Sequence, residues 1–396
     1  MTARRVAALA GIVTVCLAGA AAPAPEPDLR CHQEPGNRFF WTEWGFCDLG
    51  PHGPHAAQGI VIWNHGLSGT SAELKAPPAL ALRILHARGW DVVKIIRNNL
   101  GETESSLARA AARTDEEIRL QRSRGYRRVV LAGQSFGGYV SLETAADRRD
   151  VFAVVAMAPG VTSRGGVDRL DPSVTERLLA ESKAARIAVV FPPADEVLNT
   201  SARGPGAGKV LVRRGQPYLL VDETASAISG HGGATGGRFA LRYGICLAEF
   251  LAADPAPPGH FPCPVGREAD AARDLLLRGR WAGVEPLPAA MALPEAHASF
   301  TGLWFGLIGE TVVVTGLVEL EAGMPQVIDR AVATRASGGR YVARADGGRL
   351  HATLGRDPAP TITLTPGAGG AMELAWVSAD GRRTLRGALA PLAPAP

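Results

Sequence analysis

The sequence predicts an α/β fold, in which a mostly parallel sheet carries helices on both faces, followed by a small all-β domain. Short apolar strands alternate with helices between residues 56 and 250, and this alternation is typical of parallel strands joined by helical crossovers. The strand sequences VVLA and AVVAMA are apolar throughout, which indicates burial on both faces of a sheet. After residue 300 apolar and polar residues alternate in short runs, and this period of two predicts strands.

The elements of the α/β part follow one another along the chain. Strands are expected at residues 59–63, 90–96, 128–132, 152–157, 187–191 and 217–221. Helices are expected at residues 80–88, 104–124, 139–147, 173–185, 239–252 and 267–280. We also expect a strand near residues 46–49, in the segment that precedes this series.

The C-terminal part is predicted to be an all-β meander that forms a small barrel or a sandwich. Its strands are expected at residues 303–307, 311–320, 326–334, 341–345, 350–354, 361–365, 372–377 and 384–389. Glycine-rich turns are expected between strands at residues 337–339, 346–348 and 380–381. The pattern leaves open whether this part binds a ligand or stabilises the part before it.

The N-terminus has the pattern of a bacterial export signal. Arg4 and Arg5 precede a short apolar stretch at residues 6–17, and small residues at 18–20 suit a signal peptidase. An uncleaved membrane anchor is the alternative, and a lipoprotein anchored through Cys16 is a weaker one. We therefore expect a secreted or periplasmic protein that is not inserted in a membrane once the signal is removed. The expected organisation is a signal peptide at 1–20, an N-terminal arm at 21–55, an α/β domain at 56–284, a proline-rich linker at 285–299 and an all-β accessory domain at 300–396.

Export changes how the cysteines are interpreted. Four remain after signal removal, an even number in an oxidising compartment, which predicts two disulfides. We favour Cys31–Cys47 and Cys246–Cys263, because each pair closes a short loop within one region. Zinc binding is the rival interpretation, but no spacing of Cys and His typical of a zinc site occurs, so no metal is expected.

The charge of the chain argues against some partners. Its 396 residues carry a formal net charge of +4, spread along the sequence, with no basic run interleaved with aromatic residues. Nucleic-acid binding is therefore not expected. The oligomeric state is left open by the sequence.

The main chemical signal is the sequence Gly133-Gln134-Ser135-Phe136-Gly137, which lies between an apolar strand and a helix. In such a turn the glycines allow the chain to bend sharply, and the serine is exposed at the carboxyl end of the strand. This setting predicts that Ser135 is a nucleophile.

A serine hydroxyl needs a base, and the base needs a carboxylate to orient it. His231 lies in the sequence GHGG after the last apolar strand of the α/β series, which is where the base is expected. Asp195 follows the preceding strand and is the favoured acid. Glu196 and Asp222 remain as alternative acids.

An acyl-transfer site also needs two N–H donors for the negatively charged oxygen of the tetrahedral intermediate, the oxyanion. The residue after the nucleophile, Phe136, is expected to supply one. The other is expected from Leu67, in the sequence WNHGLSG after the first strand. These residues require no cofactor, and the expected partner is a small-molecule or acyl substrate.

The sequences IVIWNHGLSG, VVLAGQSFGGYVSL, AVVFPPADEV and SGHGG, in that order, resemble the α/β-hydrolase superfamily. The resemblance covers about half of the chain, and it is closest to the branch of esterases and dienelactone-hydrolase-like proteins. True dienelactone hydrolases carry a cysteine nucleophile where this chain has Ser135. The resemblance implies a serine esterase, with a peptidase or amidase and a thioesterase as alternatives. An inactive hydrolase scaffold with a ligand-binding β domain is the alternative from another class.

Overall fold

The first sheet of the described residues has nine strands. They are β1 (Gln33–Asn37), β2 (Phe40–Trp44), β3 (Gly59–Asn64), β4 (Trp90–Arg97), β5 (Val129–Gln134), β6 (Ala153–Met157), β7 (Arg186–Val190), β8 (Pro217–Val221) and β9 (Gly259–His260). Their order across the sheet is β1-β2-β4-β3-β5-β6-β7-β8-β9. Strands β3 to β9 run parallel to one another, and β1 and β2 add an antiparallel pair beside β4. The helices are α1 (Leu80–Ala87), α2 (Glu104–Ser123), α3 (Phe136–Ala146), α4 (Pro172–Glu181), α5 (Arg203–Arg214), α6 (Gly237–Ala252) and α7 (Ala269–Leu277).

The computed structural model describes part of the chain. The described residues are 33–37, 40–46, 49–66, 78–97, 104–160, 172–198, 203–264, 269–277, 300, 303–309, 311–321, 324–331, 337–353 and 358–392. The expected signal peptide at 1–20 and proline-rich linker at 285–299 lie outside them. None of the helices in these ranges combines the length and the hydropathy needed to cross a membrane.

The parallel strands β3 to β7 are buried on both faces along almost their whole length, because helices cover the sheet on both sides. In β3, Val61 and Trp63 face one core, which includes residues of α1, α6 and α7. Ile60 and Ile62 face the other, which includes residues of α2, α4 and α5. Successive side chains of a strand point to opposite faces, so a fully apolar strand is the pattern that two cores require. The predicted α/β fold class is confirmed, and it is the architecture implied by the resemblance to α/β hydrolases.

The C-terminal part is a closed barrel of antiparallel strands, each paired with its neighbour in sequence and the first with the last. Closure leaves no unpaired edge that could recruit another chain. Its strands are β10 (Leu303–Ile308), β11 (Thr311–Glu321), β12 (Met324–Ala331), β13 (Ser337–Asp346), β14 (Arg349–Thr353), β15 (Thr361–Pro366), β16 (Met372–Val377) and β17 (Thr384–Leu392). The prediction of a small all-β domain is confirmed, in its barrel form.

The barrel has its own core, but its first strand also contacts the α/β domain. Trp304 and Ile308 of β10 point into the barrel core. Phe305 and Leu307 alternate with them, point outward, and pack in the core cluster that contains α1, α6 and α7. The two parts of the chain therefore share buried apolar surface.

Three expectations about elements were wrong. The strand expected at 46–49 lies earlier, at β2, and pairs antiparallel with β4. Helix α5 was not predicted, because its sequence RGPGAGKVLVRR begins with glycines and a proline that have low helix propensity. The proline lies in the first turn, where its missing N–H costs no hydrogen bond within the helix. The turn expected at 337–339 is the start of β13, which pairs with β12.

Candidate active site

Ser135 occupies a strained turn between β5 and α3. Its backbone has φ 55° and ψ −124°, although left-handed φ values are uncommon for residues other than glycine. The turn is held by hydrogen bonds from the Ser135 N–H to the Met157 carbonyl (2.9 Å) and from the Gly160 N–H to the Ser135 carbonyl (3.1 Å). Such strain persists only where the surroundings impose it, and it is typical of functional sites.

The glycines on either side of Ser135 are required by close backbone contacts. A Cβ atom on Gly133 would lie 2.1 Å from the Gly137 carbonyl oxygen. A Cβ atom on Gly137 would lie 1.9 Å from the carbonyl oxygen of Asn64, the last residue of β3. Both distances are too short for any side chain. The spacing of the GQSFG sequence therefore follows from the way this turn packs on itself and on β3.

Helix α3 begins at Phe136, directly after Ser135. The first N–H groups of a helix have no carbonyl partner one turn earlier, and they carry the positive end of the helix dipole. The Phe136 N–H is one of these groups. The start of α3 thus provides an environment that favours negative charge beside the Ser135 hydroxyl.

His231 and Asp195 contact each other on the loops that follow β8 and β7. The His231 Nδ1 atom lies 2.9 Å from Oδ2 and 3.0 Å from Oδ1 of Asp195. Asp195 Oδ1 also accepts hydrogen bonds from the backbone N–H groups of Val197 (3.1 Å) and Leu198 (2.9 Å). Burial alone would raise the pKa of Asp195, but the hydrogen bonds and charge of His231 and the two N–H groups outweigh it and lower that pKa below its usual value.

The other two candidate acids face elsewhere. The Glu196 carboxylate accepts a hydrogen bond from the backbone N–H of His231 at 3.0 Å, so it contacts the main chain of that residue. Asp222 accepts hydrogen bonds from the N–H (3.0 Å) and the hydroxyl (2.6 Å) of Thr224, within its own turn. Of the three acids left open by the sequence, Asp195 is the one that the structure brings to the imidazole ring.

Gln134 places the His231 loop next to the nucleophile. It immediately precedes Ser135, and its side-chain Nε2 atom donates a hydrogen bond to the His231 carbonyl oxygen at 3.5 Å. Within the part of the chain that the structure describes, no hydrogen bond joins the Ser135 hydroxyl to the His231 ring. Contacts of this kind often tighten only when substrate binds.

The loop expected to supply the second oxyanion donor begins at His65 and Gly66, directly after β3. Leu67 lies outside the described residues, so its N–H stays a prediction. Sequence reasoning missed Arg97, the last residue of β4, whose buried guanidinium donates hydrogen bonds to the carbonyl oxygens of His65 and Gly66. The only signal in the sequence was a charged residue at the end of an apolar strand.

The structure describes two of the four cysteines that are expected to form disulfides. Cys246 of α6 and Cys263 form a disulfide, with 5.6 Å between their Cα atoms. Cys31 and Cys47 lie outside the described residues, so the pairing expected for them stays a prediction.

His52, His86 and Asp91 lie close enough together to hold a metal ion. Asp91 is the second residue of β4, so the group lies at the opposite end of the sheet from Ser135. Its carboxylate already accepts hydrogen bonds from the N–H groups of His52 and Gly53 and from the Tyr126 hydroxyl (2.7, 2.9 and 2.6 Å). The two imidazoles stack with 4.5 Å between their ring centroids, so their lone pairs do not converge on one ion. We interpret the group as a structural anchor for the loop before β3.

This chain is similar to known proteins in structure but not in sequence. No protein-family model matches the chain, and no curated protein matches its sequence. An esterase from Pyrococcus furiosus is 13% identical, with a TM-score of 0.42, and the match covers 57% of this chain and 93% of that one. A predicted CIB-like hydrolase from Thermoplasma acidophilum is 16% identical, with a TM-score of 0.39, over 56% of this chain and 97% of that one. Est1E from Butyrivibrio proteoclasticus is 13% identical, with a TM-score of 0.35, over 56% of this chain and 95% of that one.

Proposed function

We propose that this chain is a serine hydrolase that cleaves carboxylic esters through an acyl-enzyme intermediate. The observation that carries the proposal is the pair of contacts between His231 Nδ1 and the Asp195 carboxylate, on loops next to the strained turn of Ser135. An orienting acid, a base and a nucleophile on such a turn are the parts that acyl transfer needs.

In the proposed reaction the Ser135 Oγ atom attacks the ester carbonyl, and His231 Nε2 accepts the hydroxyl proton. Asp195 holds the ring with its Nδ1–H toward the carboxylate and stabilises the positive charge that forms on it. The Phe136 N–H and the expected Leu67 N–H stabilise the oxyanion. His231 then donates its proton to the departing alkoxide, which leaves as an alcohol. Water, deprotonated by the same histidine, releases the carboxylic acid and restores Ser135.

We further propose that the protein is exported, to the periplasm or the extracellular space. The Cys246–Cys263 disulfide supports this, because disulfides persist in oxidising compartments and are rare in the bacterial cytosol. The N-terminal pattern of basic residues followed by a short apolar stretch supports it independently.

The test combines a covalent probe with a substrate panel. A fluorophosphonate probe should label the wild-type protein, and Ser135→Ala should abolish labelling and lower the rate of p-nitrophenyl acetate hydrolysis by at least about 10³-fold. Ser182→Ala is the matched control, because Ser182 is a buried serine whose described hydroxyl contact is local, to the Ala184 N–H. A panel of ester, amide and thioester substrates separates the esterase from a peptidase, an amidase or a thioesterase. Correctly folded wild-type protein that is not labelled would identify the chain as an inactive scaffold.

A further inference from the structure

Arg97 connects the two segments that are expected to supply the oxyanion donors. Its guanidinium Nη2 donates hydrogen bonds to the carbonyl oxygens of His65 and Gly66, the latter at 3.3 Å. The centre of the same guanidinium lies 4.9 Å from the centroid of the Phe136 ring, a cation–π contact with the residue after the nucleophile. Arg97 is only 2% exposed, so these contacts form away from solvent.

The hydrogen bonds of His65 fix the same loop from a second direction. The Arg97 backbone N–H can only donate, so His65 Nε2, 3.2 Å away, accepts. The neutral ring therefore carries its hydrogen on Nδ1 and donates it to the Gly66 carbonyl oxygen at 2.6 Å. Burial first, and the positive charge of Arg97 second, hold the pKa of His65 well below its usual value, which keeps the ring neutral. The Gly66 carbonyl thus accepts two hydrogen bonds, one from each of these side chains.

We propose that Arg97 is a positioning residue of the oxyanion hole, which holds the start of the loop after β3, at His65 and Gly66, in a fixed position against Phe136 at the start of α3. The Phe136 N–H is the expected donor among the described residues, so a shift of its ring or of this loop would change the direction of that N–H. Arg97 itself contacts carbonyl oxygens and an aromatic ring, and it acts on the reaction through them. This inference rests on the proposed function.

An arginine suits this role better than other residues. Its planar fork presents several N–H donors in fixed directions and stacks on an aromatic ring at the same time, which a lysine ammonium cannot do. Burying a guanidinium is costly unless it is hydrogen-bonded, and the described partners of Arg97 include the carbonyls of this loop. Holding the loop against Phe136 aligns the Phe136 N–H in advance, and donors that are aligned in advance stabilise an oxyanion without reorganising during the reaction.

The test uses the full chain with Arg97→Met, Arg97→Lys and a matched control. Arg186 is a second buried arginine, at the start of β7, that binds the carbonyls of Phe250 (2.7 Å) and Ala253 (3.0 Å) and stacks on the Phe152 ring (4.3 Å). It lies at the opposite end of the sheet from Ser135, so Arg186→Met reports the general effect of losing a buried, stacked arginine. For each protein we would measure folding by circular dichroism, kcat and KM for p-nitrophenyl acetate, and inhibition by phenylboronic acid, which forms a tetrahedral anion on a nucleophilic serine.

We expect Arg97→Met to lower kcat by about 10- to 100-fold, less than or similar to the loss of one whole oxyanion donor, with KM changed by less than about threefold. Affinity for phenylboronic acid should fall by a similar factor, because the tetrahedral adduct uses the same donors. Arg97→Lys should lower kcat by about tenfold, since one ammonium cannot replace the stacked fork. Arg186→Met should keep wild-type kcat.

Several results would overturn the inference. They are wild-type kcat in folded Arg97→Met, unchanged boronate affinity where kcat has fallen, or an equal loss of kcat in Arg186→Met. If Arg97→Met does not fold, Arg97→Lys decides, and wild-type kcat in that variant rejects the positioning role. Fluorophosphonate labelling of the wild-type protein distinguishes failure of the proposed function from failure of the proposed role of Arg97. A labelled enzyme that tolerates loss of Arg97 refutes this inference alone, whereas an unlabelled one refutes the proposed function and the inference with it.

Discussion

Replacing Asp195 by asparagine tests the triad more sharply than deleting it, because the structure predicts how the new amide would be oriented. Asp195 Oδ1 accepts hydrogen bonds from the N–H groups of Val197 and Leu198. In Asp195→Asn the amide oxygen should keep these two bonds, which places the amide nitrogen at the position of Oδ2, 2.9 Å from His231 Nδ1. The new N–H would donate to Nδ1, so the His231 hydrogen would move to Nε2, and the ring could no longer accept the Ser135 proton.

The size of the expected loss of kcat follows from the same distance between His231 Nδ1 and Asp195 Oδ2. A unit charge pair at 2.9 Å interacts by about 5 to 6 kcal/mol at an effective dielectric constant near 20. Both side chains are mostly buried, with 13% and 10% exposure, so little of this stabilisation of the imidazolium is lost to solvent. At about 1.4 kcal/mol per factor of ten, its loss corresponds to a decrease of about 10⁴-fold in kcat. The same replacement in other serine hydrolases has an effect of about this size.

The assay is p-nitrophenyl acetate hydrolysis at pH 7 by Asp195→Asn, with Asp222→Asn as the matched control. Asp222 also follows a strand of the sheet, but it bonds only within its own turn in the described structure, so its variant should stay within about twofold of wild type. Folded Asp195→Asn with more than a tenth of wild-type activity would refute the reasoning. A large loss in Asp222→Asn with little loss in Asp195→Asn would make Asp222 the acid.

Two further predictions concern stability. Phe305→Ala should lower the free energy of unfolding by about 3 kcal/mol, because this 9% exposed ring packs outward from the barrel into the core of the α/β domain. Urea denaturation measures the loss; the 64% exposed Val212 should tolerate alanine, and an unchanged midpoint for Phe305→Ala would show that the two parts fold independently. Replacing Cys246 and Cys263 together by serine should cost about 3 kcal/mol, the chain-entropy value for a loop of this length. The denaturation midpoint should fall to that of the reduced wild-type protein, and four free thiols in exported wild-type protein would contradict the bond.

Much of the fold could be predicted from the sequence because its signals are local. Two-faced apolar strands such as β5 and β6 indicate a covered parallel sheet on their own, and alternation at Met372, Leu374 and Trp376 marks a barrel strand without reference to its partner. Where local propensity conflicts with tertiary packing, the prediction failed. The glycines of α5 weaken its helical signal, yet the first N–H groups of α5 are capped by the Glu223 carboxylate, which lies on another loop (2.7 and 3.1 Å).

The candidate nucleophile, the candidate base and the helix N-terminus beside them could be predicted from the sequence alone, since Ser135 and Phe136 lie in one short turn and His231 follows the last apolar strand of the α/β series. The sequence favoured Asp195 but left Glu196 and Asp222 open, and only the tertiary structure shows that the Asp195 carboxylate contacts the His231 ring and that Arg97 contacts the His65 and Gly66 carbonyls. Adjacent carboxylates on one loop have the same local pattern, and an arginine at the end of a strand does not reveal which carbonyls it contacts. The group that each of these side chains contacts depends on how distant loops meet at the carboxyl edge of the sheet. The direction of each loop is set by the strand and the helix that it joins.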